Sequence, residues 1–180
     1  GVVIITTKRG KKGGNDISYS VYAGVQKVSN TLDLMNASEW KALVNDINES
    51  DGKPHTFSDS AVAAAGEGSD WQNAALRQAS IQNHELSVSG GDDRSKYLIS
   101  GNFYRQAGTV VNTGFKRYSG RINYERNLSE KLKVATNIFG SNSIEDKLFG
   151  NAYGAINFQN TSFANLVQLS PAVPIYNADR

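Results

Sequence analysis

Ile17-Ser18-Tyr19-Ser20-Val21-Tyr22-Ala23-Gly24-Val25-Gln26 is the stretch that decides the fold. Ile17, Tyr19, Val21, Ala23 and Val25 alternate with Ser18, Ser20, Tyr22, Gly24 and Gln26, so the pattern has a period of two. Successive strand side chains point to opposite faces, so this period makes a strand with one apolar and one polar face. Its span of about ten residues is that of a tilted strand crossing a bilayer.

Four later stretches repeat the pattern. Over 81–89, Gln82, His84, Leu86 and Val88 share one face, and Asn83, Glu85, Ser87 and Ser89 the other. Over 96–106, Tyr97, Ile99, Gly101 and Phe103 oppose Ser100, Asn102, Tyr104 and Gln106. Over 116–127, Tyr118, Gly120, Ile122 and Tyr124 oppose Ser119, Arg121, Asn123 and Glu125. Over 131–143, Leu132, Val134, Thr136 and Ile138 oppose Lys133, Ala135, Asn137 and Ser141.

The connections alternate in length. Gly90-Gly91-Asp92-Asp93 and Asn127-Leu128-Ser129-Glu130 make short joints at 90–95 and 127–131. The joints at 29–80 and after about 144 are long, and Gly108 to Gly114 reads as a loop. Outer-membrane barrels have this rhythm, with tight periplasmic turns and long outer loops. Tyr19, Tyr97, Phe103, Tyr118 and Tyr124 all lie in the apolar phase, several near strand ends, where interfacial girdles form. The bland alternative is that aromatic residues simply favour strands. The phase predicts that Tyr97, Ile99, Phe103, Ile122 and Tyr124 face lipid, with Asn102 and Asn123 on the lumen side.

The connection from about 30 to 80 has its own structure. Asn36 and Glu39 match a capping box, and Trp40, Leu43, Val44 and Ile47 recur at helical spacing. A helix over 37–49 is expected, stopped by Asp51-Gly52 and Pro54, with Trp40 packing it. Residues 58–69 read as loop, and Asp70 as the N-cap of a short helix through Leu76 that Trp71 packs. Long loops usually carry function.

At the start, the β-branched run Val2-Val3-Ile4-Ile5-Thr6-Thr7 suggests a strand buried on both faces. Arg9-Gly10-Lys11-Lys12-Gly13-Gly14 follows as a basic, flexible linker, so a domain boundary is expected near residue 14. Near the end, Phe158 to Leu169 holds a candidate short helix closed by Ser170-Pro171, and the prolines make the following Val173-Pro174-Ile175-Tyr176 extended. No signal peptide is visible after Gly1, and both ends read as cut, so the chain is expected to be an internal fragment.

Composition sets limits. The 180 residues carry 19 basic and 17 acidic side chains, a net charge of +2, too balanced to imply nucleic-acid binding. Cysteine is absent, which removes disulfides and thiol chemistry. The mean hydropathy of −0.44 looks soluble. That average misleads for a barrel, where only every second strand residue faces lipid. No stretch approaches the roughly 18 apolar residues of a membrane helix.

Candidate chemistry is sparse. His84 is a lone histidine in the apolar phase, and a structural or interfacial role outweighs catalysis. His55, beside Pro54 and Thr56, has no second ligand at metal spacing and reads as a solvated loop residue. Glu85, Arg121, Glu125 and Lys133 fall in the polar phase, where they line a lumen, meet a plug or substrate, or pair across strands. Lys8, Arg9, Lys11 and Lys12 lack the interleaved aromatics of a nucleic-acid site, and Gly10 to Gly14 lacks P-loop spacing. The sequons at Asn36, Asn48, Asn127 and Asn160 are chance-level matches. No catalytic, cofactor or metal set emerges, substrate-binding residues are not legible, and an enzyme reading has no positive support.

Gly1-Val2-Val3-Ile4-Ile5-Thr6-Thr7-Lys8-Arg9-Gly10 resembles the last plug strand of the SusC/RagA family of TonB-dependent transporters. Asp70-Trp71-Gln72, Arg77-Gln78-Ala79, His84-Glu85-Leu86-Ser87-Val88-Ser89-Gly90-Gly91, Tyr97-Leu98-Ile99-Ser100-Gly101, Gly114-Phe115-Lys116-Arg117-Tyr118 and Ser170-Pro171-Ala172-Val173-Pro174 resemble the early barrel of the same family. The resemblance implies an all-β barrel of about 22 strands with a plugged lumen, of which this chain supplies about five. It divides the chain into a plug end and linker at 1–14 and barrel at 15–180, with the outer loop at about 30–80. It also implies a Bacteroidota outer membrane, with TonB-energised uptake of oligosaccharides or peptides and a SusD-like surface lipoprotein as lid. TonB itself would touch a part absent from this chain. The rival reading is a soluble or cell-surface β-rich binding or adhesion module with two packed sheets. Five strands alone leave two open edges and an apolar face, which predicts aggregation of the isolated segment.

Overall fold

The structure, a computed structural model, describes residues 13–147 and 162–176. The expected strand at 2–8, the Lys8–Lys12 basic run, Phe158 and Asn160 lie outside the described residues. The chain divides into two compact units. One holds the five described strands; the other holds Lys27–Gln78, Thr109–Asn112 and the described residues from Lys147 onward.

The first unit is a five-stranded antiparallel meander, β1 (Gly13–Gln26), β2 (Ala79–Gly91), β3 (Ser95–Ala107), β4 (Gly114–Asn127) and β5 (Lys133–Asp146), in that spatial order. The five expected alternating strands are present; β2, β3 and β4 reach beyond their expected spans, while β5 begins at Lys133, runs on to Asp146 and leaves Leu132 in the turn before it. β1 starts at Gly13 rather than Ile17, with a register irregularity between Gly13 and Asp16. Gly13 has φ +141, a conformation side-chain-bearing residues rarely adopt.

The ladders align the two phases across all strands. One row joins Tyr19, Leu86, Gly101, Gly120 and Gly140; the next joins Val21, His84, Phe103, Tyr118 and Asn142. Tyr97 faces Tyr124, and Ile99 faces both Val88 and Ile122. The polar phase aligns equally: Asn102 faces Glu85 and Ser119, and Asn123 faces Leu98 and Asn137. A one-residue slip would exchange the two faces, so this register fixes their chemistry. The apolar phase stays open, with Ile17 70%, Val21 57% and Ile138 57% exposed.

In the second unit, α1 (Ala37–Ser50) begins at the capping box read from the sequence. Asn36 Oδ1 accepts from the Glu39 N–H at 2.9 Å, and Glu39 Oε2 accepts from the Asn36 N–H at 2.9 Å. Gly52, with φ +69, follows the Asp51 cap and ends the helix. Residues 58–69 are not simply loop, because α2 (Asp59–Ala63) forms there. Ser58 caps it by accepting from the Ala61 N–H, and its alanines are strong helix formers despite their loop-like smallness. The apolar stripe of α1 is also only partly used. Leu43 and Ile47 remain exposed while Ala37 and Asn45 are buried.

α3 (Trp71–Ala75) starts at Asp70, whose carboxylate accepts from the Asn73 N–H at 2.7 Å, and Leu76 is its C-cap. α4 (Ser162–Val167) falls within the stretch expected to be helical. Ser170-Pro171 closes it in a turn where the Val173 N–H donates to the Ser170 carbonyl at 3.1 Å, and bends rather than a strand follow at Ile175 and Tyr176.

Candidate functional site

Two surfaces have the chemistry of a site, and each is built within one unit. The polar face of the sheet comes first. Its side chains are amides, hydroxyls and guanidinium groups set by the strand register. Asn102 Nδ2 donates to Asn83 Oδ1 at 2.7 Å and to the His84 carbonyl at 3.2 Å. Asn102 Oδ1 is buried and has no hydrogen-bond partner among the described residues. At the loop end, Tyr104 donates to Gln106 Oε1 at 2.8 Å, and Gln106 Nε2 donates to Gln26 Oε1 at 3.1 Å. Arg117 lies over the Tyr104 ring at 5.7 Å, and Arg121 over the Phe139 ring at 5.4 Å.

Of the four polar-phase charges, the structure joins one pair. Lys133 Nζ lies 2.7 Å from Glu125 Oε2 across β4 and β5. Glu85 and Arg121 sit in separate rows, opposite Asn102 and Ser100 respectively. Such a face offers hydrogen bonds to water or a polar solute.

His84 lies on the apolar face, as its phase required. Its Nδ1 is 2.7 Å from the Tyr19 hydroxyl, and its ring stacks between Tyr19 and Phe103 with centroids 6.2 and 6.1 Å away. Tyr118 extends the row at 5.1 Å from Phe103. This belt crosses four strands. Below it, Gly101, Gly120 and Gly140 open a groove of about 610 Å³.

The second surface is a cleft of about 560 Å³ in the loop unit. Trp40, Trp71, Leu32, Glu67, Asp70 and Pro171 are among its walls. Trp40 packs on Phe57 at 6.0 Å, while the Trp71 indole donates to the Ser170 carbonyl at 3.1 Å. Two buried amides without any local sequence signature bind loop backbone in this unit. Asn45 donates to the Phe57 carbonyl at 2.8 Å and accepts from its N–H at 3.0 Å. Gln72 does the same for Leu32, at 2.9 Å both ways. Buried polar residues of this kind satisfy loop backbone as a neighbouring strand would.

Gly68 closes the cleft wall with φ +71. A Cβ there would collide with the Pro171 carbonyl oxygen and Ala37 Cβ. His55 Nε2 stands 3.8 Å from Glu49 Oε2, on the surface. Among the described residues, no group of three His, Cys, Asp or Glu side chains is placed to hold a metal.

A meander of long antiparallel strands with one apolar and one polar face is the architecture of a β-barrel wall, and comparison with known proteins specifies which kind. No protein-family model matches. The chain is 30% identical to TonB-dependent receptor P3 of Formosa agariphila over 99% of its own length and 17% of that protein. It is 28% identical to TonB-dependent receptor P26 of the same organism, over 99% and 17%. With TonB-dependent receptor SusC of Bacteroides thetaiotaomicron it shares 29% identity over 68% of this chain and 12% of that one. By structure it matches the RagAB peptide transporter with a TM-score of 0.64 and 24% identity, covering 78% of this chain and 19% of that one. A second match, the RagAB importer in its open-open state, has a TM-score of 0.61. These structural likenesses establish the fold.

The curated relatives of this chain are thus TonB-dependent receptors, SusC among them, and its structural neighbours are RagAB transporters. The chain spans about a sixth of the length of the curated relatives it matches best along its own length.

Proposed function

We propose that this chain is the plug-to-barrel junction of an outer-membrane importer, with residues 1–14 ending the plug and 15–180 opening the barrel wall. In this reading the Lys27–Gln78 insertion is an outer loop, TonB supplies the energy, and the cargo is an oligosaccharide or a peptide. A SusD-like surface lipoprotein closes the transporter from outside. SusC among the relatives and RagAB among the structural matches support the pairing and the cargo class.

One observation carries the reading. Between Lys116 and Arg126 on β4, the outward-facing residues Tyr118, Gly120, Ile122 and Tyr124 are all uncharged. The ten residue steps from Lys116 to Arg126 rise about 34 Å along the strand. A tilt of about 35–45° reduces this to about 24–28 Å, the height of a barrel's apolar band. A soluble sandwich has no reason to match that length.

Site-directed spin labels test it in the full-length protein reconstituted into vesicles. Labels at Ile99 and Ile122 are expected to collide with oxygen dissolved in lipid, and labels at Asn102 and Asn123 with a water-soluble relaxant. The reverse pattern, or equal exposure of both sets to water, would overturn the barrel reading.

A further inference from the structure

On the outward face of the sheet, charge is confined to the ends. The outward positions of β1 and β2 carry no Asp, Glu, Lys or Arg, and Arg126 occupies the short-turn end of β4. At the other end, beside the long insertion, Arg105 on β3 and Lys116 on β4 stand directly opposite each other in the register. Like charges placed in this way repel and weaken a sheet. The two ends differ in how the charge is met. Arg126 has a carboxylate within electrostatic reach, that of Asp92. Among the described residues, neither Arg105 nor Lys116 forms an ion pair. Their cross-strand neighbours on this face are Gln82 and Ile144, and the acid of β5 on the same face, Asp146, lies one row further out, opposite Gly114.

The adjoining row toward the middle of the sheet is the aromatic belt, with Phe103 and Tyr118 directly inside Arg105 and Lys116. Two adjacent cations, a ring pair beneath them and an uncharged face beyond have the charge and polarity profile of a lipid with an anionic head. Arginine and lysine donors suit phosphate, and the rings suit the junction between head and chains. If the long insertion is external, this end lies at the outer leaflet. We propose that Arg105 and Lys116 bind the phosphorylated head of an outer-leaflet glycolipid. The site rests on the barrel reading above, and the ligand relieves the repulsion that the sheet alone leaves in place.

The test uses the full-length protein extracted from outer membranes, with folding checked by heat-dependent gel migration. Lipid A in nanodiscs is titrated against wild type, Arg105→Gln/Lys116→Gln and the charge-keeping Arg105→Lys/Lys116→Arg, and bound lipid is counted by native mass spectrometry. Loss of two basic contacts is expected to weaken lipid A binding about thirtyfold. The charge-keeping variant is expected to stay within a few-fold of wild type, and enzymatically dephosphorylated lipid A to bind wild type as weakly as intact lipid A binds the double Gln variant. Equal binding by wild type and the double Gln variant would overturn the site. Displacement of lipid A by an equal concentration of inorganic phosphate would overturn the lipid assignment. Absence of the wild-type protein from outer-membrane fractions would instead overturn the barrel reading itself.

Discussion

The Tyr19 hydroxyl meets His84 Nδ1 at 2.7 Å on the apolar face of the sheet, joining β1 to β2 within the aromatic belt. What this bond contributes depends on what surrounds it. In water, both groups find other partners, and Tyr19→Phe would cost a few tenths of a kcal/mol. In lipid the imidazole nitrogen is left unsatisfied, which costs about 1–3 kcal/mol. Thermal unfolding of the full-length protein in bilayers is expected to show the larger loss, and His84→Phe in the Tyr19→Phe background to recover most of it. A negligible effect of Tyr19→Phe would place this face in water.

Glu125 and Lys133 make a close pair, yet the Lys133 side chain is 53% exposed. Solvent screens such a pair, so a double-mutant cycle with Glu125→Gln and Lys133→Met is expected to give a coupling of about 0.2–1 kcal/mol. The coupling should shrink as salt rises from 0.05 to 0.5 M, on the order of a threefold change in screening length. A coupling above about 2 kcal/mol, insensitive to salt, would mean that the pair is sealed from water, for instance against a plug.

The strands were legible because alternation records which face each residue occupies, and both faces have distinct chemistry at every step from Ile17 to Gln26. The capping box at Asn36 and Glu39 was equally plain, being a local bond between two residues three apart. Asn45 and Gln72 were not legible. Their partners, Phe57 and Leu32, lie 12 and 40 residues away, and nothing local distinguishes a buried amide from a solvated one. Arg105 and Lys116 were visible as basic residues, but their direct opposition emerged only once the register of β3 and β4 was fixed. For Leu43 and Ile47, helical periodicity marked an apolar stripe correctly but could not say whether anything covers it.

Asp92 organises the turn between β2 and β3. Its Oδ1 accepts from the backbone N–H groups of Arg94 at 2.8 Å and Ser95 at 2.6 Å. These bonds, aided by the Arg126 charge, hold its carboxyl below the usual carboxylate range. A carboxyl depressed in the folded state stabilises the turn above its ordinary pKa, and that stabilisation is lost as pH falls through the lower, folded value. Hydrogen exchange at Arg94 and Ser95 is therefore expected to accelerate, beyond the intrinsic pH effect, only below about pH 4. Asp92→Asn, which keeps an acceptor but cannot titrate, should remove that extra acceleration. An identical pH response in wild type and variant would show that another group controls the turn.

Asn45 gives the sharpest test of the loop unit, because one side chain satisfies both backbone groups of Phe57. Asn45→Leu keeps the volume but strands a donor and an acceptor, an expected cost of about 2–4 kcal/mol in local stability. Asn45→Asp is more informative. The introduced carboxylate still accepts from the Phe57 N–H but faces its carbonyl oxygen with no proton to donate. Burial raises the pKa of that new acid in the folded state, so the protonated form, which can donate, is favoured at low pH. The sign follows from linkage: the variant loses stability as pH rises from about 4 toward the raised value, then stays at the lower level. Exchange at the Phe57 amide of the full-length protein, measured by mass spectrometry across that range, reads this directly. Wild type and Asn45→Leu should show no such step. If Asn45→Asp also shows none, or if Asn45→Leu protects the Phe57 amide as well as wild type, the clamp does not hold the loop.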